Sequence, residues 1–239
     1  MTESRLKKYL GKRPSDPDTP IRRKPGVFSD SKARYLQEEC HDENVASNIV
    51  WNIYSGQESD FVIRELKGQI HPLIQTHGRL QIIVWVGTCD LTIKSGKFIR
   101  IKSDIDKAQR NLVTNLLQLE EYILENQYTR LTVLEVPYIS TSQWNEFYGH
   151  DNPNSFKDDD IRLKRAIDVI NGVIRSINTR TGGHSPKFNL DIERPNKNKG
   201  QPIRFRINWK LFKDGVHPGR TLAKVWLRNV CKEVIYQCF

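Results

Sequence analysis

Residues 80–86, LQIIVWV, form a near-continuous apolar run that ends at Gly87. A strand with one wet face would alternate apolar and polar residues. A run without alternation suits the centre of a parallel sheet covered on both faces. Other β-rich runs surround it. Val27-Phe28 is short and apolar, and residues 48–54, NIVWNIY, end at Ser55-Gly56. Residues 130–136, RLTVLEV, are stopped by Pro137, and residues 188–192, FNLDI, make a candidate fifth strand. Helical spacing fills the gaps. Phe61, Ile63, Leu66 and Ile70 form one stripe. Ala108, Leu112, Leu116, Leu119 and Ile123 form a longer one, behind a capping-box-like Ser103 and Asp106. Leu163, Ile167, Ile170 and Ile174 repeat the pattern, and a last helix near Pro218 carries Leu222, Val225, Trp226 and Val230. Repeated β-then-α order predicts a three-layer α/β/α sandwich with a central, mainly parallel, five-stranded sheet.

The chain divides into a basic arm, residues 1–24, and a single domain, residues 25–239. The arm holds eight basic residues, among them Arg22, Arg23 and Lys24, against three acidic ones, so it reads as flexible. A second basic stretch runs from Arg194 to Lys213, with Lys197, Lys199, Arg204 and Arg206 and no acid. With a formal net charge of +10 these segments point to nucleic acid or another polyanion, or to simple solubility. Cys40, Cys89, Cys231 and Cys238 match no zinc module and are too sparse for a disulfide scaffold. The first 26 residues show no signal peptide and no stretch approaches 18 apolar residues. An intracellular protein with reduced thiols is the expectation, with no choice between nucleus and cytoplasm. Nothing in the spacing asks for a metal or cofactor. Asp158-Asp159-Asp160, the one dense carboxylate run, reads as a lead into a helix N-terminus rather than a Mg²⁺ site.

In open α/β sheets, ligands bind beyond the carboxyl ends of the strands. Those places carry Asp30-Ser31, Gly56, the stretch GTCD (residues 87–90) and, before the last helix, KDGVHPG (residues 213–219). A hydroxyl nucleophile needs a general base, and the base needs an orienting carboxylate. Asp214 and His217 lie three residues apart, so the carboxylate can reach Nδ1 while Nε2 faces Ser31. The backbone N–H groups of Ser31 and Gly56 can meet an oxyanion. Each piece has a plainer reading: Asp-Ser as a helix cap, a glycine as a turn, D-x-x-H as coincidence. Their joint order favours chemistry.

These blocks resemble the SGNH, or GDSL-like, hydrolases. FSDSKARYL is similar to their first block, IYSGQES to the second, VWVGTCDLT to the third and DGVHPG to the fifth. The resemblance covers residues 25–239 and implies a flavodoxin-like sandwich. It further implies esterase or O-deacetylase activity on an ester or acetylated substrate. Ser31 would be nucleophile, Asp214 and His217 the base pair, and Ser31 and Gly56 oxyanion donors. Two positions depart from the family pattern. Ser29 stands where the first block has glycine, and Cys89 where the third has an asparagine that donates its amide to the oxyanion. A thiol is a weak donor. The alternative reading is therefore a weak or silent SGNH-like domain that binds nucleic acid or another polyanion.

Overall fold

The computed structural model describes residues 1–12, 16–196 and 204–239. Strands β1 (Lys24–Ser29), β2 (Val50–Ile53), β3 (Leu80–Trp85) and β6 (Thr129–Val133) form a four-stranded sheet in the order β2-β1-β3-β6. Every pair in it is parallel. The central β3 is buried along its whole length, as its near-continuous apolar run predicts. Helices α2 (Lys32–Gln37) and α9 (Arg220–Cys238) make one layer against it, and α3 (Ser59–His77), α5 (Ile105–Leu124) and α7 (Lys157–Thr181) make the other. Trp85, Phe188 and Trp226 pack as an aromatic cluster, with ring centroids 4.9 to 5.8 Å apart. The α5 stripe is buried as its spacing predicts, but Asp104, not Ser103, caps the helix by accepting from the Lys107 N–H at 2.9 Å.

The expected fifth strand is a correction. Residues 188–192 form helix α8 (Phe188–Ile192), and Phe188 is drawn into the aromatic cluster. The outer edge of β6 still needs partners, because buried backbone groups are costly to leave unpaired. Side chains supply them. Asn178 brackets Val133, accepting from its N–H at 2.9 Å and donating to its carbonyl at 2.8 Å. Asn171 does the same for Val136 at 2.8 and 2.9 Å. Ser185 and Asn189 accept from the N–H groups of Glu135 and Tyr138, at 2.7 and 2.8 Å. Four polar side chains thus satisfy the backbone of β6 at Val133 and of the segment that follows it.

The basic arm is not wholly loose either. Helix α1 (Glu3–Leu10) docks on α9 with Leu6 buried. Arg228 donates to the carbonyls of Tyr9, Leu10 and Lys12 at 3.1, 3.0 and 2.8 Å, capping the end of α1. Beyond the main sheet, α4 (Thr88–Leu91) leads into a hairpin of β4 (Thr92–Ser95) and β5 (Phe98–Ile101). Helix α6 (Thr141–Phe147) anchors that hairpin: Asn145 brackets Ile99 at 2.9 and 2.7 Å, and Trp144 Nε1 donates to the Lys97 carbonyl at 2.9 Å. Asp160 in turn caps α6, accepting from the Thr141 N–H and the Ser140 hydroxyl, both at 2.6 Å. A second hairpin pairs β7 (Glu193–Asn196) with β8 (Arg204–Ile207). No helix among the described residues is long and apolar enough to cross a membrane.

Candidate active site

Ser31 stands where β1 hands over to α2. It occupies the N-cap position of α2, yet its side chain makes no capping bond. Its Oγ lies instead 2.9 Å from His217 Nε2. The plainer reading of Asp-Ser as a cap therefore passes to Asp30, whose Oδ1 accepts from the Lys32 N–H at 3.0 Å.

His217 is held on every side. Its Nδ1 lies 2.8 Å from Asp214 Oδ2. Asp214 Oδ1 meanwhile accepts from the backbone N–H groups of His217 and Val216, at 2.7 and 3.0 Å. Burial pushes the Asp214 carboxyl up, but these donors outweigh it and hold the group below the usual carboxylate range. It is an anion at neutral pH. The loop closes at its neck, where Lys213 N–H donates to the His217 carbonyl at 2.9 Å and Gly219 N–H to the Leu211 carbonyl at 2.9 Å. Tyr35 and Trp144 lie against the imidazole, at ring-centroid distances of 4.8 and 5.6 Å.

Gly215 makes this turn possible. Its φ is +86°, and a Cβ there would lie 2.5 Å from Gln143 Cβ and 3.0 Å from the Ser140 carbonyl oxygen. Gly215→Ala is expected to cost roughly 2–4 kcal/mol in urea unfolding, from positive φ plus overpacking. Because Asp214 and Val216 flank it, the same substitution should displace His217. A destabilisation under about 0.5 kcal/mol, the range of ordinary surface changes, would refute this account.

Ser31, Gly56, Cys89 and His217 line one cleft of about 560 Å³. Gly56 follows β2 with φ +78°, and Gly87, with φ +122°, turns the chain from β3 into α4, which carries Cys89. A Cβ on Gly87 would meet Val136 at 2.8 Å, so the turn is tied closely to the sheet. Burial first, then the neighbouring Asp30 charge, push the Cys89 thiol up to about 12. It stays S–H at neutral pH and is not a competing nucleophile. Asp90 accepts from the Ser59 N–H at 3.0 Å and from its hydroxyl, tying the start of α3 to α4. Burial pushes the Asp90 carboxyl up, and its Oδ2 is buried without a partner.

Lys32, unremarked in the sequence, is fully buried beside the site. Its ammonium donates to Asp30 and, at 2.6 Å, to Thr88 Oγ1, and it lies 5.4 Å from the Trp85 ring centroid. The pair braces the Ser31 turn against the third block. Tyr35 likewise gives no sign in the sequence of being a site residue, whereas Trp144, which flanks a predicted site loop and reads there equally as cleft lining or as packing, lines the cleft.

The expected polyanion residues fall into separate places. Arg22 and Arg23 line a cavity at the amino ends of the strands, and Lys24 opens β1. Arg194 sits opposite Arg206 in the second hairpin and donates to the Met1 carbonyl at 3.0 Å. Arg204 lies on β8, while Lys197 and Lys199 lie outside the described residues.

No family model matches the sequence. No curated protein matches it either. Solved structures do. A GDSL-like lipase from Bacteroides thetaiotaomicron superposes with a TM-score of 0.58 at 14% identity, over 99% of this chain and 98% of that one. A lipase/acylhydrolase from Enterococcus faecalis gives 0.51 at 12% identity, over 91% and 97%. An acetyl xylan esterase from Geobacillus stearothermophilus gives 0.51 at 14%, over 90% and 96%. The chain has the SGNH-hydrolase fold. Within that SGNH fold, Ser31, Gly56 and Cys89 all follow strands at their carboxyl ends, where open α/β sheets place ligands.

Proposed function

We propose that the protein is a serine ester hydrolase of SGNH type. What carries the reading is the unbroken chain Ser31 Oγ, His217, Asp214, at 2.9 and 2.8 Å, opening on the cleft. Ser31 Oγ attacks the acyl carbonyl carbon as Nε2 takes its proton. The tetrahedral oxyanion collapses, the C–O bond to the alcohol breaks, and Nε2–H protonates the leaving alkoxide. Water, deprotonated by the same nitrogen, attacks the acyl-enzyme; its collapse frees the carboxylic acid and returns the proton to Ser31. Asp214 fixes the tautomer and stabilises the imidazolium. The N–H groups of Ser31 and Gly56 have no acceptor among the described residues, which leaves them free for the oxyanion. Fluorophosphonate labelling with peptide mass spectrometry tests the reading. Label on Ser31 that disappears in His217→Ala supports it; an unlabelled wild-type serine refutes it.

The cleft also has a charge. Arg34, Lys94 and Lys102 line it, beside Ile93, Ile99 and Trp144. Glu58, its one lining carboxylate among the described residues, is engaged by Lys102 at 2.8 Å. Among the described residues Arg34 donates only to the Ser55 hydroxyl, at 2.8 Å. The preferred ester therefore carries an acidic group. Arg34→Glu with Lys94→Glu should lower kcat/KM for 4-acetoxybenzoate by about tenfold, yet leave p-nitrophenyl acetate within about twofold. Equal losses on both esters would contradict this preference.

A second reading keeps the fold and drops the turnover: a silent domain that binds nucleic acid or another polyanion. The +10 charge and Cys89 favour it. Binding to DNA or RNA that falls steeply with salt, in a protein that takes no fluorophosphonate, would select it.

A further inference from the structure

At the amino ends of the strands, opposite Ser31, four arginines converge. Arg22 and Arg23 precede β1, Arg79 precedes β3, and Arg130 lies in β6. The register sets them side by side. Lys24 pairs with Leu80, and Leu80 with Thr129, so Arg23 and Arg79 enter the sheet together and Arg130 follows on the next strand. The N–H groups of Arg22 and Arg23 both donate to the Cys238 carbonyl, at 2.6 and 3.3 Å, which brings the end of α9 to the cluster. The four side chains, with Tyr236, Gln237 and Phe239, line a cavity of about 310 Å³ that no Asp or Glu side chain among the described residues enters.

Four arginines elsewhere are paired with buried or half-buried carboxylates. Arg175 meets Glu135, Arg180 meets Glu120, Arg220 meets Glu39 and Arg228 meets Glu43, at 2.6 to 3.1 Å. Arg22, Arg23, Arg79 and Arg130 have no carboxylate side chain as partner among the described residues. Arg23 is half-buried, and its Nη1 is buried without a hydrogen-bond partner. Burial, then the charges of Arg130 and Arg79, hold its guanidinium below the usual range. Attraction to the carboxyl end of α9 accounts for one or two cations there. It does not account for four that repel one another around an open cavity.

We propose that this cavity binds a phosphate group, clasped by guanidinium forks whose planar donors match its oxygens. The site is independent of ester hydrolysis and lies away from the cleft, so an occupant would not block Ser31. The phosphate can belong to a small free phosphoester or to a lipid headgroup; the chemistry of capture is the same.

The test is thermal unfolding of the full chain against inorganic phosphate, at constant ionic strength balanced with chloride. A saturable rise in Tm is expected for wild type. In Arg79→Ala/Arg130→Ala, phosphate should bind about tenfold more weakly or worse, since each charged hydrogen bond lost is worth roughly that factor. The double variant should also melt higher than wild type without phosphate, because mutual repulsion is relieved. Arg22→Gln/Arg130→Gln provides a second pair should the first fail to fold. No saturable response in wild type, or an equal response in a folded double variant, would overturn the proposal. Sedimentation with vesicles containing phosphatidic acid, against phosphatidylcholine alone, separates the sources. Arginine-dependent capture assigns a headgroup, whereas a phosphate response without capture assigns a free phosphoester.

Discussion

Ser31→Ala is expected to lower kcat/KM for p-nitrophenyl acetate by about 10⁴-fold or more, an increase of roughly 5.5 kcal/mol in the barrier. The acyl group then has no covalent acceptor, and only binding and oxyanion donors remain. Asp214→Asn should cost nearly as much, for a reason specific to this loop. Asp214 Oδ1 is fixed by two backbone N–H groups, from Val216 and His217. An asparagine keeps that oxygen there and so turns its NH₂ toward His217 Nδ1. The imidazole must then carry its proton on Nε2, where it cannot accept from Ser31. The expected loss is again about 10⁴-fold, with the fold intact. Steady-state kinetics on folded variants decides it. A loss below tenfold in Asp214→Asn would show that the carboxylate does not set the tautomer. Turnover that survives Ser31→Ala would remove Ser31 as nucleophile.

How much of this was legible follows from which residues report on themselves. Leu80–Trp85 announced a doubly covered strand because only Gln81 interrupts its apolar run, so apolar and polar residues do not alternate. Ser31, Asp214 and His217 could be placed together because each follows a feature that ends an element. The edge of β6 was not legible. Asn171, Asn178, Ser185 and Asn189 look like ordinary surface polar residues until the helix carrying two of them is docked. Five residues that alternate apolar and polar, such as FNLDI, are too few to say by themselves whether the segment pairs as a strand or turns as a helix. Lys32 escaped notice for a similar reason. A lysine is normally solvated, and only the buried partners Asp30 and Thr88, the latter 56 residues away, make its burial tolerable. Helix α1 was masked by its charge: counting basic residues over residues 1–24 hid the one buried leucine that docks it.

Cys89→Asn is expected to raise kcat rather than lower it. In this cleft Cys89 follows Gly87 on α4, beside Ser31 and Gly56. With its thiol pushed up to about 12, the residue offers only an S–H, a weak and poorly directed donor. An amide at the same Cβ would give a full N–H to the oxyanion. One such donor is worth on the order of 10²–10³ in rate, which bounds the gain. Cys89→Ala should change kcat less than about tenfold if the thiol contributes little. The neighbouring Thr88 decides how much of the gain is realised. Its Oγ1 accepts from the Lys32 ammonium at 2.6 Å, so its own proton is directed elsewhere. Where that proton already reaches the oxyanion, Thr88→Val would cost rate in wild type and Cys89→Asn would add little. Single-turnover acylation of the three variants separates the cases. A fall in acylation rate in a folded Cys89→Asn protein, with Thr88→Val neutral, would mean that the oxyanion lies away from α4 altogether.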